Sequence, residues 1–180
     1  PYMIRGTDIP VVLDLMIHDI DLVLSFIDSP VKKIEASGVS IMTRSIDIAN
    51  ARIHFENGSV ANITSSRVAK DKVRKIKLFQ QNLYITIDFL VGLTEVYRVV
   101  DSEKQESSDI ISAPMDLDGT QKHIVYEKPN IIKNDALQME LINFIESIQG
   151  AATPTVGGLA GKEALKVALQ IQNKILEGLK

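Results

Sequence analysis

Residues 46–68 have the sequence IDIANARIHFENGSVANITSSRV, which predicts two antiparallel strands joined by a tight turn. Ala51, Ile53 and Phe55 alternate with polar residues, as side chains do in a strand that buries one face. The pair Asn57-Gly58 follows, and both residue types tolerate the positive φ that short hairpin turns use. We therefore expect an antiparallel sheet organised around this hairpin.

Further strand-like runs lie on both sides of the hairpin. The polar, acidic stretch Asp101–Gly119 interrupts them and predicts a surface loop. The predicted strands, in addition to Ile46–Phe55 and Ser59–Val68, are Val31–Val39, Val73–Gln80, Leu83–Phe89, Leu93–Val100 and Lys122–Tyr126.

Three segments have helical periodicity. The first runs from Pro10 to Ile27, the second opens at Asn134 and stops at Gly150, and the third runs from Leu159 to Leu179. The predicted apolar stripes are Leu137, Leu141, Phe144, Ile145 and Ile148 in the second helix, and Leu165, Ala168, Leu169, Ile175 and Leu176, facing inward, in the third. Helices grouped around strands predict an α+β fold, with an open, mostly antiparallel sheet of about six strands and the helices packed on one face.

Composition excludes several classes of function. The 180 residues carry a formal charge of −3, whereas a nucleic-acid surface needs clustered cationic side chains. The chain has no cysteine, so disulfides, thiolate metal sites and a cysteine nucleophile are excluded. No apolar run approaches the roughly 20 residues that span a bilayer. We expect a cytoplasmic protein with no membrane or nucleic-acid partner. Because the chain starts at Pro1, we also expect it to be a piece of a longer protein.

The first predicted helix carries the residues best suited to chemistry. Asp14, His18 and Asp21 fall on one side of it, since residues i, i+4 and i+7 stack on an α-helix. A carboxylate four residues before a histidine can orient the imidazole, and its other nitrogen can then take a proton from a substrate hydroxyl. A polar cluster with a purely structural role is the alternative.

Other motifs favour structural interpretations. Glu127-Lys128-Pro129 predicts a surface lysine at a strand end, and Gly157–Lys162 predicts a tight loop into the last helix. The basic segment Lys70–Lys77 favours a solvated strand edge, with a contact to a phosphorylated or nucleotide-linked sugar, which Arg67 could join, as the alternative. The three histidines are scattered, so we expect no metal site.

The order of several landmarks resembles the C-terminal domain of the Gfo/Idh/MocA oxidoreductases. They are the segment from Asp14 to Asp21, the hairpin Ala49–Gly58, the strand end Ser65–Arg67, and Pro154–Gly158 before the last helix. The resemblance implies the dehydrogenase C-terminal fold, similar to those of glyceraldehyde-phosphate dehydrogenase and dihydrodipicolinate reductase. Residues 1–180 would form a single substrate-binding and oligomerisation domain, whose N-terminal dinucleotide-binding domain is missing.

The resemblance also implies an activity. Asp14 and His18 match the active-site aspartate and histidine beside the nicotinamide, and Asp21 and Arg67 are assigned to substrate binding. NAD or NADP would be held mainly by the missing domain, and the substrate would be a sugar, cyclitol or nucleotide sugar. An open sheet face would form a homodimer or tetramer, unless that face is solvated. The alternative function is a non-catalytic oligomerisation or ligand-sensing module.

Overall fold

The computed structural model describes residues 8–101, 111–117, 120–132 and 134–179. The chain divides into two compact units. The first unit comprises the residues up to Lys70 and those from Asn143 onward, and the second unit comprises Asp71–Ile142.

The first unit contains a three-stranded antiparallel sheet in the order β1-β2-β3. These strands are β1 (Val31–Val39), β2 (Ile48–Phe55) and β3 (Val60–Ser66). The predicted hairpin is confirmed, with His54 paired to Val60 and with Gly58 at a φ of +86° in the turn. One face of β2 and β3 is buried, and the other is polar, so the alternation in the sequence correctly predicts which side chains face the core.

Two helices cover the buried face of this sheet. A π-helical turn (Val12–Met16) runs directly into α1 (Ile17–Phe26), and α3 spans Gly158–Gly178. The helices are where the sequence predicts them, and they pack on one face as expected. The core residues are Val11, Val12, Met16, Ile20, Ile46, Ala49, Ala51, Ile53, Phe55, Ala61, Ile63, Ala164, Val167, Ala168, Ile171 and Ile175.

The predicted inner face of α3 is correct only in part. Ala168 and Ile175 are buried, but Leu165, Leu169 and Leu176 are each more than two-fifths exposed. The buried stripe instead runs through Ala164, Val167, Ala168, Ile171 and Ile175. Its small residues allow close packing, and a Cβ on Gly38 of β1 would lie 2.9 Å from Ile175 Cγ2.

The helix α2 (Ala136–Ile148) ends as predicted, with Gly150 at a φ of +74°. It buries none of its residues. The side chains of its predicted apolar stripe are each more than half exposed: Leu137, Leu141, Phe144, Ile145 and Ile148.

The second unit is a five-stranded antiparallel sheet in the order β4-β5-β6-β8-β7. Its strands are β4 (Lys75–Gln80), β5 (Leu83–Asp88), β6 (Leu93–Asp101), β7 (Ile111–Leu117) and β8 (Thr120–Glu127). The α+β class and the antiparallel pairing are confirmed, but the strands form two sheets rather than one of about six strands. Residues 67–74 contain no strand, and β3 and β4 belong to different sheets.

The prediction of a loop over Asp101–Gly119 is wrong where the structure describes it. Asp101 ends β6, and Ile111–Leu117 form β7, while 102–110 and 118–119 lie outside the described residues. Alternating Ile111, Ala113, Met115 and Leu117 are typical of a strand. Pro114 obscures the pattern, although proline is tolerated in an edge strand, and β7 is at the edge of the sheet.

Candidate functional site

Asp14 lies in the π-helical turn and faces Arg67 at the end of β3. Asp14 Oδ2 is 3.7 Å from Arg67 Nη2, and the Asp14 side chain is 39% exposed. Arg67 also donates a hydrogen bond to the carbonyl of Ile9. Its side chain is only 10% exposed, so the guanidinium lies at the inner edge of the polar surface around Asp14.

Behind Arg67 lies a fully buried carboxylate, Asp47. Its Oδ1 is 3.9 Å from Arg67 Nε. Its Oδ2 accepts hydrogen bonds from the amides of Ile41, Met42 and Thr43 at 2.7, 2.7 and 2.9 Å. The Thr43 hydroxyl donates to Oδ1 at 2.7 Å. Burial alone raises the pKa of Asp47, but the Thr43 hydroxyl and these amides outweigh it and hold the pKa well below its usual value.

His18 is exposed on α1, and Asp21 is partly exposed one turn further along. Within the described part of the chain, His18 makes no hydrogen bond or ion pair with Asp14, and the carboxylate contacts Arg67 instead. The predicted stacking of i and i+4 assumes an α-helical turn, whereas Asp14 lies in a wider π-helical turn. The structure thus brings Asp14 and Arg67 together and leaves His18 accessible on the same helical segment.

The motifs interpreted as structural have the predicted surroundings. Lys128 is exposed directly after β8, and Gly157 precedes the first turn of α3. In the basic segment, Lys75 pairs with Asp88 at 3.1 Å, and Arg74 lies 5.4 Å from the centre of the Phe89 ring. In the described ranges, no group of three or more histidine, aspartate or glutamate side chains could hold a metal ion.

Asp47 is the residue of this site that the sequence analysis missed. An aspartate before an apolar strand is common at solvent-exposed turns, so the position of Asp47 before β2 does not by itself predict burial. The nearby Thr43 and Ser45 were the available signal, since hydroxyl residues close to an aspartate often form local hydrogen-bonded turns.

Comparison with known proteins identifies the family. Residues 8–86 match the sequence profile of the GFO/IDH/MocA C-terminal domain. These residues belong to the GFO/IDH/MocA C-terminal domain family. The matched range contains Asp14, His18, Asp21 and Arg67.

This chain is similar to UDP-N-acetylglucosamine 3-dehydrogenase from Acidithiobacillus ferrooxidans. The two are 31% identical over 172 residues, which are 96% of this chain and 50% of the relative. Two structures of that enzyme have TM-scores of 0.79 and 0.81 at 30% and 29% identity. The two matches cover 97% and 100% of this chain, and 51% and 52% of the chains in those structures. This chain thus spans about half the length of the curated relative that it matches.

A more distant structure shares the fold alone. The WlbA dehydrogenase from Bordetella pertussis, solved in complex with NADH and UDP-GlcNAcA, has a TM-score of 0.62 at 12% identity. The match covers 94% of this chain and 45% of the WlbA chain.

Within the described ranges of this chain, no helix is long and apolar enough to cross a membrane.

Proposed function

We propose that this chain is the substrate-side half of an NAD(P)-dependent dehydrogenase that acts on a hydroxyl or keto group of a nucleotide sugar. The similarity to UDP-N-acetylglucosamine 3-dehydrogenase along 96% of the chain carries the proposal. The accessible His18 and the partly exposed Asp14 supply the acid/base chemistry that such a reaction needs.

Oxidation of a secondary alcohol removes a hydride from carbon and a proton from oxygen. NAD or NADP supplies the hydride acceptor when it is bound. In this chain, the His18 imidazole accepts the hydroxyl proton, because it is exposed and imidazole is a general base suited to neutral pH. Asp14 stabilises the imidazolium through its negative charge. In the reverse direction, His18 returns the proton to the forming alcohol.

The residues around His18 fit a hydroxylated substrate and a nicotinamide ring better than a pyrophosphate. Asp14 and Asp21 flank His18, and their carboxylates repel phosphate oxygens. The sequence also lacks the Gly-x-Gly-x-x-Gly turn that holds a dinucleotide pyrophosphate. We therefore assign the pyrophosphate of the cofactor to an N-terminal dinucleotide-binding domain of the full-length protein.

Asp21 and Arg67, which the sequence assigned to substrate binding, have different surroundings in the site. Asp21 is partly exposed and one turn from His18, so its carboxylate can accept a hydrogen bond from a sugar hydroxyl. The guanidinium of Arg67 contacts Asp14, Asp47 and the Ile9 carbonyl. These contacts favour a role for Arg67 in shaping the site from beneath over direct contact with the substrate.

The test is an assay of the full-length gene product. Its size in the source cells is measured first, with an antibody raised against this chain. The product is then incubated with NAD⁺ or NADP⁺ and with UDP-N-acetylglucosamine, other nucleotide sugars and free sugars. We expect a product larger by one domain, and formation of reduced cofactor and a keto sugar with a nucleotide sugar. A gene product no larger than this chain, without turnover, contradicts the proposal and favours a non-catalytic module.

We also propose that the sheet of the second unit mediates self-association. Phe79, Tyr84, Tyr97 and Tyr126 form a continuous row across β4, β5, β6 and β8, with ring centres 4.8, 5.6 and 5.0 Å apart. Phe79, at the end of the row, is 74% exposed. Exposed aromatic rows are typical of protein interfaces.

Light scattering of the full-length protein tests this surface. Phe79→Glu should shift the mass toward the monomer, because it places a charge in the aromatic row. Leu90→Glu is the matched control, since Leu90 is 54% exposed in the turn after β5. An unchanged oligomer in Phe79→Glu, or a monomeric wild-type protein, contradicts this assignment.

A further inference from the structure

We propose that Asp47 is a positioning residue for Asp14 and acts through Arg67, an inference that rests on the dehydrogenase function proposed above. The three side chains form a line of alternating charge that runs from the core to the surface. The Arg67 guanidinium lies 3.9 Å from the Asp47 carboxylate and 3.7 Å from the Asp14 carboxylate.

The inner end of this line is fixed. Asp47 is 0% exposed, and its carboxylate accepts four hydrogen bonds from residues 41–43. Its own amide donates to the Val39 carbonyl at 2.9 Å, at the end of β1. A carboxylate with this many donors stays ionised and keeps one orientation. Asp47 is therefore a stationary negative charge beside β2.

Arg67 is tied to Asp47 by backbone and side chain together. The Arg67 amide donates to the Asp47 carbonyl at 3.1 Å, and the guanidinium lies against the Asp47 carboxylate. The planar guanidinium can engage both Asp47 and Asp14 because its nitrogens point in fixed directions. Lysine, with a single ammonium group, cannot reproduce this geometry.

The outer end of the line controls the π-helical turn. Arg67 binds the Ile9 carbonyl on one side of Pro10 and the Asp14 carboxylate on the other. The Val11 amide also donates to the Ile46 carbonyl at 2.9 Å, next to Asp47. A π-helical turn is rare and recurs at functional sites. We attribute the presence of the π-helical turn to these three contacts, which set where Asp14 lies relative to His18.

A role of Asp47 confined to folding residues 41–45 is the competing explanation. Kinetics of the full-length enzyme separate the two explanations, because only a positioning role makes the effect of Asp47 depend on Asp14. Asp47→Asn should lower kcat by about 10–100-fold, the cost of a misplaced catalytic group, with KM within about two-fold. Arg67→Lys should do the same and serves if Asp47→Asn does not fold. Asp28→Asn, an exposed carboxylate after α1, is the control and should leave kcat unchanged.

The double variant gives the sharpest result. If Asp47 acts through Asp14, Asp14→Asn with Asp47→Asn should be no slower than Asp14→Asn alone. Multiplicative losses in kcat, or a loss confined to KM, overturn the proposal.

A spectroscopic readout keeps this result distinct from failure of the proposed function. In the NMR spectrum of the full-length protein, the Arg67 Nε–H signal should have the same chemical shift in the wild type and in Asp28→Asn. In Asp47→Asn it should shift, because the negative charge 3.9 Å from Nε is removed. If the protein has no dehydrogenase activity, the proposed function fails, and this signal still tests the interaction between Arg67 and Asp47. An Arg67 signal that is unchanged in Asp47→Asn would show that Asp47 does not position Arg67.

Discussion

The two units use β-sheet in opposite ways. In the first unit, α1 and α3 cover one face of the sheet, and the apolar side chains of that face form a core with the helices. In the second unit, the described residues bury only Val96, Val125 and Thr86, although the sheet has five strands. The residues with proposed chemistry belong to the first unit, and the aromatic row, in which Phe79 is exposed, belongs to the second unit. A dense core is the better support for groups that must be held in place.

The largest expected difference between the units comes from removing one aromatic ring in each. Phe55 is 1% exposed in the first core, whereas Phe79 is 74% exposed on the second sheet. Phe55→Ala should lower the free energy of unfolding by about 3–5 kcal/mol, because it leaves a cavity. Phe79→Ala loses one ring contact and should cost under about 1.5 kcal/mol. Hydrogen exchange followed by mass spectrometry measures each unit separately, and equal losses would contradict the comparison.

Removing the buried carboxylate should have the next largest effect. Asp47→Ala leaves four buried donors without their acceptor, and we expect a loss of about 2–4 kcal/mol in the free energy of unfolding. Asp88→Ala in the second unit is the control, because that carboxylate is only partly buried and, besides its pair with Lys75, accepts hydrogen bonds from two amides rather than from four donors. Chemical denaturation measures both, and a larger loss in Asp88→Ala would be contrary to expectation.

The pKa of Asp47 also predicts a pH dependence. Because the folded pKa lies below the usual value, the carboxylate stabilises the fold fully above the unfolded pKa of about 3.9 and loses this contribution as pH falls further. The free energy of unfolding should therefore fall more steeply in wild type than in Asp47→Asn between about pH 5 and pH 3. Parallel pH profiles would show that Asp47 does not contribute in this way.

Close packing of β1 against α3 gives a smaller effect. A Cβ added to Gly38 would lie 2.9 Å from methyl carbons of both Ile46 and Ile175. Gly38→Ala should therefore destabilise the first unit by about 1–3 kcal/mol. Gly161→Ala, on an open face of α3, should instead stabilise it by about 0.5–1 kcal/mol. Thermal unfolding distinguishes the two variants. A Gly38→Ala variant as stable as wild type would show that β1 and α3 are not closely packed at Gly38.

The smallest expected effect on stability comes from a hydrogen bond in the second unit. The Tyr126 hydroxyl donates to Glu95 at 3.0 Å, and Tyr126→Phe removes this hydrogen bond. We expect a loss of about 0.5–1.5 kcal/mol in the free energy of unfolding. Denaturation followed by tyrosine fluorescence can measure it, with Glu95→Gln as the variant that keeps an acceptor. A loss comparable to that of Phe55→Ala would show that the second unit is as tightly organised as the first.

The sequence predicted the elements whose signals are local. Asn57-Gly58 identified the hairpin, Pro10 marked the start of the first helix, and Gly150 marked the end of α2. These signals depend on backbone conformations that few residue types adopt. The strand β7 was missed because Pro114 suggests a loop, and only the position of β7 at the sheet edge makes the proline acceptable.

Features that depend on contacts between distant residues could not be predicted in the same way. The inner stripe of α3 follows from its packing against β1, so periodicity alone did not distinguish Val167 and Ile171 from Leu165 and Leu169. Asp14 and His18 were singled out by spacing, but the contact of Asp14 with Arg67 joins residues 53 positions apart. The burial of Asp47 likewise exists only in the folded chain.

The decisive measurement for the proposed acid/base role of His18 is turnover of the full-length protein with His18 replaced. His18→Ala should lower kcat with the nucleotide sugar by about 10²–10⁴-fold, because it removes the acid/base group. His54→Ala is the matched control, since His54 lies on β2 beside Glu35 and should leave kcat unchanged. We expect the loss of turnover in His18→Ala alone. Equal turnover in His18→Ala and wild type, with both proteins folded, would contradict it.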